Sequence, residues 1–189
     1  MKIVVDAMGG DHAPEAVVEG AVLAAREYNT KIILTGLTER IQAELDKHDP
    51  DHTLPIEIVH AEQVVEMHDI PGKALRSKKK SSMKVGLDLV KQGVGAAFLS
   101  AGNTGAVLAY STVILRPVKG VDRPAIAIQL PTSKGISILL DAGANVDCKS
   151  NQLFQFGIMG HVFAEYILEK ENPSCLLYTS PSPRDLSTS

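Results

Sequence analysis

Short β-rich runs alternate along this chain with helical patterns, and that alternation limits its folds more than any other feature. A strand over 2–6 is followed by a helix over 14–28, in which Val18, Val22 and Ala25 share one face and Pro14 suits the first turn. Strand 31–35, polar helix 39–47 and strand 55–60 come next, then helix 83–92, strand 96–100 and helix 103–115. Parallel neighbours need a crossover of helical length, so the spacing predicts an α/β fold of three α/β/α layers around a mostly parallel sheet. Strands 125–130 and 136–141 are separated by only 131–135, a link short enough to require an antiparallel pair, which makes the expected sheet mixed. A last helix, 151–168, sets Leu153, Phe156, Gly160, Phe163 and Ile167 along one stripe.

With 189 residues, 44% of them apolar and 22% charged, the chain can bury a core and is expected to form one domain, which may be an incomplete one. A formal charge of −3 gives no electrostatic footing for nucleic acid. Cys148 and Cys175 form neither a disulfide framework nor a zinc pattern, which fits a reducing, cytoplasmic setting. Asp6 interrupts the N-terminal apolar run before a signal peptide could form, and no stretch nears the roughly 18 apolar residues of a membrane span. The sequence changes character abruptly at Cys175, and 179–189 is mostly Ser, Thr and Pro without apolar periodicity. Residues 175–189 are therefore expected to be disordered, and the abruptness of the change favours a tail foreign to the protein over a natural linker.

Three strands run into glycine-bearing turns: Asp6-Ala-Met-Gly-Gly-Asp-His-Ala-Pro14, Ser100-Ala-Gly-Asn-Thr-Gly-Ala106 and Asp141-Ala-Gly-Ala-Asn145. Ligands of open α/β sheets bind beyond the carboxyl ends of the strands, so parallel strands would gather these turns at one edge. Glycine lets backbone N–H groups approach a ligand closely and a helix N-terminus favours an anion, which makes phosphate the expected guest. Ser100, Asn103 and Thr104 add side-chain donors. A plainer reading makes Asn103 or Thr104 a helix cap and the glycines mere turn formers. Asn103→Asp keeps the capping acceptor and replaces a donor by a negative charge, so stability should change little while phosphate-dependent activity falls; on the cap reading activity should stay near normal. No GxGxxG or GxxxxGK[ST] pattern is present to support a nucleotide.

Asp6, Asp11 and Asp141 would repel a phosphate. They are expected to hold the turns by accepting from backbone amides, a reading preferred to Mg²⁺ ligation with Asn145 and Asp147 because no metal spacing is diagnostic. His12 is either an acid–base group or a structural loop residue. The basic run 73–84 offers Arg76 and Lys79, and a looser group offers Arg123, as cations for an anion or an acidic partner; a solvated surface is the alternative for each.

Six segments in order then form a pattern: Asp-Ala-Met-Gly-Gly-Asp at 6–11, Ser-Ser-Met at 81–83, Ser-Ala-Gly-Asn-Thr-Gly-Ala at 100–106, Arg-Pro-Ala at 123–125, Asp-Ala-Gly-Ala-Asn-Val-Asp-Cys at 141–148 and Gln-Phe-Gly-Ile-Met-Gly at 155–160. Together, across residues 1–173, they resemble the PlsX family of bacterial phosphate acyltransferases. Lys80 and Gly157 depart from that family's usual residues without disturbing the likeness, whereas the sequence after Pro173 leaves it altogether.

The resemblance implies a fold akin to phosphotransacetylase and isopropylmalate dehydrogenase, with residues 1–174 as the first part of the domain. It implies transfer of a fatty acyl group from acyl carrier protein to inorganic phosphate for phospholipid synthesis, with no cofactor and no metal. The full-length family is expected to form homodimers, with peripheral membrane association through its second half. Phosphate is itself a partly dianionic nucleophile, which accounts for the lack of a nucleophile–histidine pair. Asn103 and Asn145 are expected to be catalytic, and Ser100, Gly102, Thr104, Gly105, Arg76, Lys79 and Arg123 to bind substrate. Two alternatives stand beside this: a metal- and NAD-dependent hydroxyacid dehydrogenase on the related fold, and an inactive fragment that binds phosphate or carrier protein.

Overall fold

The computed structural model describes residues 1–142, Asn145 and residues 147–177. The chain divides into two compact units, Met1–Val118 and Lys119–Ser189. The first contains β1 (Lys2–Asp6), α1 (Glu15–Tyr28), β2 (Lys31–Gly36), α2 (Thr38–His48), β3 (Ile56–His60), α3 (Pro71–Ser77), α4 (Ser82–Lys91), β4 (Ala97–Leu99) and α5 (Thr104–Ile114). Its four strands form one sheet in the order β3-β2-β1-β4, and every pairing is parallel, with Val4 opposite both Ile33 and Phe98.

Side-chain alternation along the central strands builds the two faces. Val5, Ile32 and Leu34 point to one side, where Val18, Val22 and Ala25 of α1 and Ile41 and Leu45 of α2 close over them. Thr35 points the other way and donates from Oγ1 to Ser82 O at 3.0 Å, tying β2 to the start of α4. On this second side Met83 and Leu87 of α4 pack with Ala74 of α3 and with Ala106, Tyr110 and Ile114 of α5. Helices on both faces of a parallel sheet make the expected three layers.

α3 is absent from the sequence expectation, which read 73–84 only as a basic run, either cations for an anion or acidic partner or a solvated surface. Pro71 at its first position starts it, and Ala74 and Lys78, four residues apart, share its inner side. The Tyr110 hydroxyl, on a fully buried ring, meets both, 2.8 Å from Ala74 O and 3.0 Å from Lys78 O.

The second unit contains β5 (Ala127–Thr132), β6 (Gly135–Leu140) and α6 (Ser150–Tyr166). The short link makes β5 and β6 antiparallel, as expected, and among the described residues they form their own two-stranded sheet. α6 lies against β6, with Gly160 over Leu140. Residues 178–189 of the expected disordered tail fall outside the described residues. No helix among the described residues is long and apolar enough to cross a membrane.

Candidate functional site

β1 and β4 are parallel neighbours, so their carboxyl ends open on the same edge and the turns that follow them meet. Gly9 lies so close to the second turn that a Cβ there would stand 2.6 Å from Ser100 Oγ, 2.8 Å from Asp6 Oδ2 and 2.9 Å from Gly102 N. Only glycine fits between them.

Asp6 fastens this junction from below. It is 2% exposed; its Oδ1 accepts from Met8 N–H at 3.2 Å and its Oδ2 from the Ser100 hydroxyl at 2.8 Å. Burial pushes its carboxyl above the ordinary value, a rise held back by hydrogen bonds from Ser82, Ser100 and Met8. Ser100 Oγ in turn accepts from Gly102 N–H at 3.1 Å. The relay from Asp6 through Ser100 to Gly102 therefore shapes the turn with its own polar groups, and the Gly102 amide proposed from sequence as an anion donor is already occupied.

Asn103 is occupied on both sides as well. Its Oδ1 caps α5 by accepting from Ala106 N–H at 3.0 Å, and its Nδ2 donates to Met67 O and Asp69 O, each at 2.9 Å. The side chain thus stitches the 66–69 loop to the start of α5. The expectation that Asn103→Asp changes stability little considered only the cap; aspartate keeps the cap but loses the stitch, setting a negative charge against two carbonyl oxygens. Past the cap, Thr104 and Gly105 are exposed at the first two helical positions, where N–H groups have no intrahelical partner. Gly105 sits against Pro71: a Cβ on it would lie 2.9 Å from Pro71 Cγ, so the starts of α3 and α5 are side by side.

The same loop is held from α3 by a residue that sequence reasoning passed over. Lys78 Nζ donates to Val64 O at 2.8 Å and to Asp69 Oδ2 at 2.5 Å, and Asp69 Oδ2 also accepts from Glu66 N–H at 2.8 Å. The Lys78 ammonium and the Glu66 amide hold the Asp69 carboxyl below the usual carboxylate range. Recognising Pro71 as a helix start would have put Lys78 on the inner face with Ala74.

The rest of the basic run separates by partner. Lys80 pairs with Glu62 at 2.8 Å and Lys84 with Asp88 at 2.5 Å. Arg76 and Lys79 are exposed; Arg76 Nε donates to Gly72 O at 2.9 Å, which folds its guanidinium back along α3. Asp11 and His12 are exposed on the β1 turn.

The third glycine turn belongs to the second unit, and its Gly143, Ala144 and Val146 fall outside the described residues. Asp141 accepts from Asn145 N–H at 2.7 Å and from Ile126 N–H at 3.2 Å, while Asn145 Nδ2 donates to Pro124 O at 3.2 Å. Asn145 thereby ties the segment after exposed Arg123 to the β6 exit. Asp141, like Asp6, is engaged by backbone amides, and no three His, Cys, Asp or Glu side chains converge at metal-binding spacing among the described residues.

A family model described as "Fatty acid synthesis protein" matches residues 1–179. A curated phosphate acyltransferase of Alkaliphilus oremlandii is 52% identical over 173 residues, 92% of this chain and 51% of that protein. The phosphate acyltransferase of Geobacter sulfurreducens is 51% identical over 173 residues, 92% of this chain and 50% of its own length. The chain spans about half the length of the curated relatives it matches.

Proposed function

The chain belongs to the fatty acid synthesis protein family, and on that premise we propose that residues 1–174 are the first part of a phosphate acyltransferase domain. Its reaction takes an acyl group from the thioester of acyl carrier protein to inorganic phosphate: a phosphate oxygen attacks the carbonyl carbon, the carbon–sulfur bond breaks, and the released thiolate takes a proton. The comparisons lend no support to the dehydrogenase alternative.

The observation that carries this reading is the start of α5. Asn103 caps it with one side of its amide and anchors it with the other, leaving Thr104 and Gly105 exposed beside the interlocked β1 and β4 turns. Phosphate is held there by the Thr104 hydroxyl and the backbone amides of Thr104 and Gly105, with Arg76 and Lys79 supplying positive charge. Asn103, Ser100 and Asp6 act by positioning. Asn145 is proposed as an orienting or oxyanion-stabilising group of the full-length protein, and Arg123 as a substrate-binding cation. Fixing nucleophile and carbonyl can contribute roughly 7–11 kcal/mol of the barrier and an oxyanion donor about 3 kcal/mol, so no protein nucleophile is needed. A cytoplasmic location, homodimer formation and peripheral association with the inner face of the membrane are proposed for the full-length form.

The test completes the chain by joining the second half of the Alkaliphilus oremlandii relative after Pro173. With acyl carrier protein thioester, thiol release should require inorganic phosphate and yield acyl phosphate. Thr104→Val should raise the KM for phosphate by roughly tenfold or more, the effect of losing one hydrogen bond to a charged group. Thiol release independent of phosphate would sink the reading.

A further inference from the structure

Among the described residues, one apolar side of α6 is buried against β6 and the other stays largely exposed, with Cys175 and Leu177 beside only its first half. Phe156 and Ala164 are buried on the side that lies against β6. Phe154, Ile158, Val162 and Tyr166, each four residues after the last, form a second stripe over about three turns and are 47% to 74% exposed. Leu153 and Ile167 widen it. The stripe is edged by the His161–Glu165 pair at 3.6 Å, a polar rim to an apolar centre as protein interfaces have.

We propose that this stripe is the docking surface for the second half of the family's polypeptide, the stretch by which the relatives exceed this chain. The match takes up 51% of the Alkaliphilus oremlandii protein, so about half of that relative lies outside it. The supporting unit also lacks a core of its own size, because a lone two-stranded hairpin is marginal in water and Ile128, Leu130, Ile136 and Leu139 of β5 and β6 are exposed too. Chemistry separates this occupant from two others. α6 carries no Lys or Arg, which an anionic lipid surface or an acidic carrier protein would call for.

The experiment expresses the remaining half of the Alkaliphilus oremlandii protein separately, mixes it with this chain and measures mass by sedimentation. A one-to-one heterodimer is expected, and the pair Phe154→Ser and Ile158→Ser should weaken it by roughly tenfold or more while leaving the helix content unchanged. A heterodimer indifferent to those substitutions overturns the proposal, as does a homodimer of this chain that the same substitutions dissociate. If the separate half is insoluble, it is joined after Pro173 and amide exchange is followed: residues 150–166 should exchange about a hundredfold more slowly than in this chain. Unchanged exchange there overturns the proposal equally.

Discussion

The two units differ in how much of their apolar surface they bury for themselves. In the first, a parallel sheet is closed on both faces, by α1 and α2 on one and by α3, α4 and α5 on the other, and two buried clusters fill the layers. In the second, the buried apolar residues among those described are Phe156 and Ala164, although its sequence is just as rich in Ile, Leu and Phe. Apolar content is therefore a poor guide to self-sufficiency. What counts is whether the elements on hand supply a second layer for each apolar face.

The sharpest way to break the comparison is to separate its terms. Residues 1–118 expressed alone should unfold cooperatively in urea, and residues 119–177 alone should show no cooperative transition by far-UV circular dichroism. If 1–118 also fails, the three-residue edge strand β4, with Leu99 60% exposed, is too weak an end for the sheet and needs a further strand beside it.

Single substitutions sharpen it within the intact chain. Ile33→Ala removes a 1% exposed side chain from the central strand and should cost about 2–5 kcal/mol. Leu139→Ala, at a 41% exposed position on β6, should stay within about 0.5 kcal/mol. Comparable losses in urea titrations would mean that the hairpin is already packed and that the contrast between the units is false.

The first unit was the more legible of the two in sequence, for the same physical reason. Where a strand and its crossover helix bury each other, periodicity and caps mark both, so β1 stands as expected and α1 and α5 begin one residue after the positions expected. α3 was missed because Lys73, Arg76, Lys78, Lys79 and Lys80 look like a solvated surface, while the decisive signals are Pro71 and one inward lysine. The glycine turns announced their meeting through residue type. Nothing in residue type reveals that the Asn103 amide is used up by carbonyls of residues 67 and 69, because that depends on a loop more than thirty residues away in sequence.

That stitch gives a smaller effect. Asn103→Asp should destabilise the chain by about 1–3 kcal/mol, the cost of unsatisfied part-buried carbonyls facing a new charge, whereas Asn103→Ser, which keeps only the cap, should cost less than Asn103→Asp at neutral pH. Equal stability of Asn103→Asp and the parent would reduce the residue to a simple cap and leave its amide free for a ligand.

The smallest effect separates the two carboxylates at strand exits, Asp6 in the first unit and Asp141 in the second. Each accepts from backbone amides, but Asp6 is buried and Asp141 is half-buried. Burial raises the Asp6 carboxyl above its ordinary value. Between that value and the raised one, the native chain retains a proton that the unfolded chain has released, so stability from this group is complete below the ordinary value and is lost as pH rises through the folded one. Asp6→Asn cannot titrate and pays no such loss. Its stability relative to the parent should therefore improve as the pH is raised from about 4 towards 7, measured as the difference between two urea midpoints at each pH. A difference that moves the other way would mean that the hydrogen bonds from Ser82, Ser100 and Met8 favour the ionised form more than burial disfavours it. Asp6 would then stabilise the junction of the two turns as a true carboxylate.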